Sequence, residues 1–343
     1  MVINWFIPET GLSLSKFRKI CGLSSYNYNK HLASVWIRCL QIIPLLDHMG
    51  VKSLINAENV KTDIAIFLRR HDTKVFNILN KQKGMGAKIV MDLCVNFFDV
   101  TGLFPGGYGS EEKVSNHVKK LVSQADVIIC SSDYIRKKAS EYHSWAIYIP
   151  DSINYEHFRW KKSKRDFEKS KLSAIWSGQS TKSVEISEFY FTLKERGIPL
   201  TIISNKKPDM PGSYNYIPWS YYTFPKNIVK GDFCISPRRT DNTYDLGHSH
   251  FKIGVFMAQG VPALAAPLPS YREVIGKTGG GRICETDLQW EEALDEVLEN
   301  RVMLWEWSQA AHDGMDYYST ENITKNYVEI FEKLISEEKM ISI

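Results

Sequence analysis

Two stretches of the chain set lysines where backbone chemistry favours an anion. "WSGQSTK" (176–182) leaves an apolar run through Gly178 and Gln179 and reaches Lys182 as a helical segment begins. A glycine at such a turn lets backbone N–H groups approach a phosphate closely, and the lysine adds a full positive charge. An ordinary strand–turn–helix connection with a surface lysine reads the same way, so this signal alone is weak. The second stretch, "GHSHFKIGVFMAQG" (247–260), puts Lys252 in the first turn of an expected helix, where its charge opposes the helix dipole. That placement costs roughly a few tenths of a kcal/mol unless an anion is present. A nucleoside diphosphate would answer both lysines. The candidates for holding such a ligand are Gly178, Gln179, Lys182 and Lys252, with Ser249, His250 and Ile253 flanking the second lysine. His248 and His250 form an H-x-H pair, but no further ligand set stands at a metal-binding spacing, so no metal is expected.

The elements that must hold these residues alternate almost from end to end. The apolar runs 2–7, 87–93, 126–132 and 145–150 read as buried strands, and between them lie segments with helical periodicity. One of these, "SEEKVSNHVKKLVSQA", opens on Ser110 as an expected N-cap followed by two acids. "PDSINYEHFRWKKSKRDFEKSK" interrupts the alternation. It then resumes with strands at 172–178, 199–204, 214–219, 231–237 and "VPALAA", and with a helix over about 182–196. Strand–helix–strand alternation implies right-handed crossovers and parallel sheets covered on both faces. Two α/β halves of similar size follow, with ligands expected at the carboxyl ends of the strands.

Composition narrows the classes. A net charge of +4 over 343 residues does not indicate a nucleic-acid-binding protein. Six scattered cysteines without a C-x-x-C pair read as reduced thiols in a cytoplasmic protein. No signal peptide is evident, and no apolar run approaches the roughly 18–20 residues of a membrane span. The basic segment 158–171 reads as a solvated linker, or as a contact with an anionic membrane surface or acidic glycan.

In order and spacing, these features resemble the GT-B-fold glycosyltransferases of the family 4 type. The residues that carry the likeness are Gly178, Gln179, Lys182, Asp232, Pro237, Lys252, Met257, Ala258, Gly260, Pro262, Glu273 and Gly281. "ADVIICSSDYIRKKASEYHSWAIYIPDSINYEHF" and "AKIVMDLCVNFFD" are similar to segments of the same family. The resemblance implies two Rossmann-like parallel-sheet domains of α/β class facing a cleft, with a C-terminal helix crossing back to the N-domain. Its boundaries would be an acceptor-side domain at 1–155, the basic linker at 156–171, a nucleotide-sugar domain at 172–320 and the returning helix at 321–343. It further implies retaining, metal-independent transfer of a hexose-type sugar from a nucleotide-diphosphate sugar to a glycan or lipid-linked glycan.

The family's E-x7-E glutamates would fall at Gly247 and Val255, neither acidic, which leaves a ribose-holding role vacant. Asp245 or His248 would then meet the donor sugar, and with Asp92 these form the catalytic candidates. Asp92 reads equally well as a strand-end structural acid. Gly11, Asn96 and Asp99 are the acceptor-side candidates. Basic residues at 16–19 and in the linker would permit peripheral contact with the inner face of a membrane. Two alternatives remain from the same architecture: a protein that binds sugar nucleotide or glycan without transfer, and a sugar-nucleotide epimerase.

Overall fold

The computed structural model describes residues 1–8, 12–13, 25–26, 32–70, 72, 74–99 and 111–341. Gly11, the basic residues at 16–19, Cys21 and Ser110 lie outside them. The chain divides into two compact units, Met1–Ser152 with Thr320–Ile343, and Ile153–Ser319.

The first unit is built on β1 (Val2–Phe6), β4 (Lys52–Ile55), β5 (Ile64–Leu68), β6 (Lys88–Leu93), β7 (Val127–Cys130) and β8 (Ala146–Tyr148). These form one parallel sheet in the order β4-β1-β5-β6-β7-β8. A separate antiparallel pair joins β2 (Leu12–Ser13) to β3 (Ser25–Tyr26). The inner strands are continuous apolar runs, "IAIFL" and "VIIC", with every residue buried, as a parallel sheet covered on both faces requires. Neither β4 nor β5 is among the runs singled out from the sequence. The first is a half-exposed edge strand without a sharp pattern, whereas the second is a plain buried run that the sequence reading missed. The helix entering β7's neighbour, Asp133–Ser140, starts where the Ser132 side chain accepts a hydrogen bond from the Ile135 N–H. Before β4, "NKHLASVWIRCLQIIPLLDHMG" carries apolar residues at helical spacing, but from Ala33 onward it forms a short helical turn, a π-helical turn Trp36–Leu40 and a helix Ile43–His48 whose first turn carries a proline.

The C-terminal helix, Thr320–Ile341, belongs to this first unit. It buries Ile323, Tyr327, Phe331 and Leu334, a stripe at helical spacing, and the Tyr327 hydroxyl donates to Asp92 Oδ2 at 2.7 Å. The return of the chain to the N-terminal half is thus observed.

The second unit repeats the architecture with β9 (Ala174–Gly178), β10 (Leu200–Ser204), β11 (Asn215–Pro218), β12 (Phe233–Ser236), β13 (Ala263–Ala265) and β14 (Gly281–Ile283). They form a parallel sheet in the order β11-β10-β9-β12-β13-β14. The helix expected over 182–196 is instead a 3₁₀ turn, Ser180–Lys182, followed by short helices Val184–Ser187 and Tyr190–Glu195. Helix Pro269–Thr278 opens on a proline and ends at Gly279, whose φ of 72° only glycine adopts without strain.

Part of the stretch read as a solvated linker lies inside this unit. Lys162 is buried and donates to Asp232 Oδ1 at 2.8 Å, while its backbone N–H meets the Gln259 carbonyl. Phe167 is buried in the same core as Trp176 and Leu264. A run of lysines hid two anchors. Among the described residues no helix is long and apolar enough to cross a membrane.

Candidate functional site

At the carboxyl ends of β9 and β12 the second unit gathers its charge. β9 ends on Gly178 because Trp176 leaves no room for anything larger. A Cβ there would lie 2.6 Å from the buried Trp176 ring. On this indole rests Lys252, from helix Phe251–Met257, with its Nζ 4.7 Å from the ring centroid. The Lys252 ammonium is buried and has no hydrogen-bond partner among the described residues.

Arg238 follows β12 directly. Its Nη1 donates to Glu185 Oε1 at 3.2 Å and to Asp245 Oδ1 at 3.1 Å. Lys182 Nζ reaches the same Asp245 oxygen at 3.4 Å and lies over the Tyr244 ring. Asp245 is fixed from its other side. Asn242 donates to Oδ2 at 3.0 Å, and its own side-chain oxygen caps the turn by accepting from the Asp245 N–H. His248 Nδ1 donates to the Tyr244 carbonyl at 2.9 Å, which leaves Nε2 without a proton in the neutral ring.

The electrostatics of the cluster follow from burial and excess cation. Burial, and then Arg238, pushes the Lys252 amine well below its ordinary value, with Glu185 opposing. Lys182 is lowered by the same two causes. Burial, Arg238 and Lys182 together push His248 well below the usual imidazole range, so its ring is neutral at pH 7. For Asp245 burial would raise the carboxyl, but Arg238 and Lys182 outweigh it and hold it below the usual range. Three cations (Lys182, Arg238, Lys252) thus meet two carboxylates (Glu185, Asp245), and a further anion would balance them.

Of the sequence candidates, Gly178, Lys182, Asp245, His248 and Lys252 converge here. Gln179 is exposed and opens the 3₁₀ turn. The Ser249 hydroxyl accepts from the Phe251 N–H, a local turn contact. Two donor-side candidates lie in the core of the unit. Ile253 is buried, and its N–H is taken by the His250 carbonyl. His250 is buried as well, with its ring centroid 4.2 Å from that of Tyr318 and its edge against Gly254. Both side chains serve the core of the unit. The sequence does not single out Glu185, and Arg238, after a strand end, reads from sequence as facing either a cleft or solvent. Arg238 stands one residue beyond a strand-ending proline, a usable signal, whereas nothing local marks Glu185.

In the first unit, Asp92 takes the place of the strand-end structural acid that the sequence also allowed. It is fully buried; Arg38 Nε donates to one oxygen at 2.6 Å and Tyr327 to the other at 2.7 Å. Each oxygen accepts from a protein side chain, and through Tyr327 Asp92 anchors the C-terminal helix to the sheet. Asn96 donates to Asp99 at 2.8 Å and accepts from the Phe98 N–H, and Asp99 pairs with Lys138 at 2.7 Å. Gly11 lies outside the described residues. Among those residues no group of three His, Cys, Asp or Glu side chains is arranged to hold a metal ion.

No protein-family model and no curated protein matches the sequence. Solved structures do match. Sucrose-phosphate synthase from Thermosynechococcus elongatus aligns with a TM-score of 0.66 at 10% identity, covering 98% of this chain and 99% of that one. Anabaena HepE, solved in complex with UDP, gives 0.64 at 9% identity over 97% and 99%. WaaG, a glycosyltransferase involved in lipopolysaccharide biosynthesis, gives 0.61 at 11% identity over 96% and 99%. At such identities these likenesses establish the fold: two six-stranded parallel sheets with their helices, the architecture of the GT-B glycosyltransferases.

Proposed function

We propose that this chain is a sugar-nucleotide-dependent glycosyltransferase whose second unit grips the donor diphosphate through Lys182, Arg238 and Lys252. One observation carries the reading. The Lys252 ammonium is buried without a hydrogen-bond partner in a cluster already rich in cations. A buried unpaired cation is costly, and a bound diphosphate would relieve it.

In transfer, the leaving nucleoside diphosphate gathers negative charge as the glycosidic carbon departs. Fixed cations in a water-poor site stabilise that charge more strongly than the ground state, which accelerates the step. The same cations would fill the role of a divalent metal, so we propose metal-independent transfer with retention at the anomeric carbon. Asp245, pinned by Asn242 and Arg238, orients the Lys182 ammonium. His248 offers a neutral Nε2 toward a donor oxygen-bound proton.

The acceptor we propose is a glycan or lipid-linked glycan, as in synthesis of a surface polysaccharide or glycoconjugate. Exposed Arg159 and Lys161 flank a Trp160 that is 42% exposed, a composition suited to peripheral contact with an anionic membrane surface. One observation favours a second reading, donor binding without transfer. Val255, where the related pattern carries an acid, is a buried apolar residue with no hydroxyl-binding chemistry.

The test is calorimetric binding of UDP, GDP, dTDP, CDP and CMP-sugars, with and without EDTA, on wild type and Lys252→Ala. Metal-independent binding of one nucleotide, lost in the variant, supports the donor site. Turnover of that donor, by hydrolysis or by transfer to a glycan, separates the enzyme from the binder. Absence of binding by every nucleotide defeats both.

A further inference from the structure

A second polar atom in the same cluster lacks a partner. Glu185 lies in the first turn of helix Val184–Ser187, and its side chain is only 6% exposed. Oε1 accepts from Arg238, but Oε2 is buried with no hydrogen bond. Among the described residues the charged cluster therefore presents two unmet donors, the Lys252 ammonium and Arg238 Nε, and an unmet acceptor, Glu185 Oε2. Phosphate alone would satisfy the donors and would be repelled by the acceptor. A ligand that carries both an anion and a hydroxyl would satisfy both.

Resting on the donor-site reading above, we infer that Glu185 is a specificity-determining residue, accepting a hydrogen bond from a sugar hydroxyl of the bound nucleotide sugar while Lys252 and Arg238 hold its diphosphate. The carboxylate comes from the short helix that follows β9 and its 3₁₀ turn, not from the segment 247–255 around Lys252, where Gly247 and Val255 leave no acid. The hydroxyl belongs either to the ribose or to the transferred sugar, and the two sources are separable.

The experiment compares inorganic pyrophosphate, the nucleoside diphosphates UDP, GDP, dTDP and CDP, and their glucose or mannose conjugates, on wild type, Glu185→Gln and Glu185→Asp. Glu185→Gln removes a negative charge beside an anion site, so pyrophosphate is expected to bind as well as or better than in wild type. Glu185→Asp keeps the charge and withdraws the carboxylate by one methylene, so pyrophosphate binding is expected to stay level. In both variants the ligand bearing the recognised hydroxyl is expected to weaken about tenfold or more, the loss of a hydrogen bond to a charged acceptor. Weakening already seen with the nucleoside diphosphate assigns the hydroxyl to ribose; weakening confined to the conjugate assigns it to the transferred sugar.

If every ligand gains or holds affinity in both variants, Glu185 is only the counterion of Arg238 and the inference fails while the donor site stands. Binding of pyrophosphate by wild type without any nucleotide binding overturns it too. If wild type binds neither, the donor-site reading itself falls. Thermal unfolding of each variant near the wild-type midpoint checks that the fold is intact, and the aspartate variant carries the test if the glutamine variant does not fold.

Discussion

The two units each bury a cluster of charge at the ends of their strands, and the clusters differ in how completely their atoms are used. In the first unit Arg38, on the π-helical turn, spans Asp92, Asp151 and the Ile149 carbonyl, and Tyr327 closes the second oxygen of Asp92. Carboxylates outnumber cations there, and both oxygens of Asp92 are occupied by protein. A single guanidinium nitrogen, Arg38 Nη2, lacks a partner. In the second unit cations outnumber carboxylates, and among the described residues Lys252 Nζ, Arg238 Nε and Glu185 Oε2 are all unmet. Similar residue types serve two ends. Where protein groups nearly complete the network it fastens a helix to a sheet, and where they leave buried charges unmet the cluster has the character the proposed donor site requires.

Breaking the closed network should have the largest effect. Arg38→Met leaves Asp92 and Asp151 buried without their cation, and chemical denaturation should show a loss of about 3–5 kcal/mol. The counterpart in the open cluster behaves oppositely. Lys252→Met removes a buried cation that has no partner, so the ligand-free protein should unfold at the same or a higher temperature. Its affinity for the donor nucleotide should fall about 10- to 150-fold, the worth of a charge-assisted contact. If Lys252→Met destabilised the free protein as Arg38→Met does, the contrast between the clusters would collapse.

A smaller effect tests the floor of the open cluster. Gly178→Ala drives a methyl into the Trp176 ring at 2.6 Å, so about 1–3 kcal/mol of stability should be lost. In a Trp176→Leu background the same substitution should cost much less, because the ring is gone. Equal cost in both backgrounds would mean that the glycine answers to the backbone and not to Trp176.

How much of this was legible depends on whether the cause was local. The parallel sheets were, because strands buried on both faces are written as unbroken apolar runs, and the return of the C-terminal helix followed from the resemblance. Lys182 and Lys252 were also legible, since each is a cation at a strand-to-helix junction. Asp92 was not, because its partners lie at Arg38 and Tyr327, 54 and 235 residues away in sequence. Glu185 escaped for the same reason: only folding brings it to Arg238, 53 residues on. Ile253 and His250 misled because they sit beside Lys252 in sequence while a helix turns successive side chains to different faces. Lys162 and Phe167 were hidden in a run whose charge suggested solvent, although a lysine stem and a phenyl ring bury readily once Asp232 waits for the ammonium.

The finest contrast between the clusters lies in their protons. Lys252 is held well below the ordinary lysine value by burial and by Arg238. Between its lowered pKa and the usual lysine range, the unfolded chain therefore binds a proton that the folded chain does not. Across that window the stability of the ligand-free protein should rise with pH. A diphosphate reverses the bias, because its charge favours the ammonium, so binding at pH values above the lowered pKa should take up a proton. Affinity should then decline as pH rises, by at most about tenfold per unit. Calorimetry at one alkaline pH in two buffers of different ionisation enthalpy reads the uptake directly. Wild type should show up to one proton taken up per nucleotide bound, and Lys252→Met none above that contributed by the nucleotide itself. Equal uptake in the two proteins would mean that the lysine is already charged, and that its unmet ammonium finds water where the donor was expected.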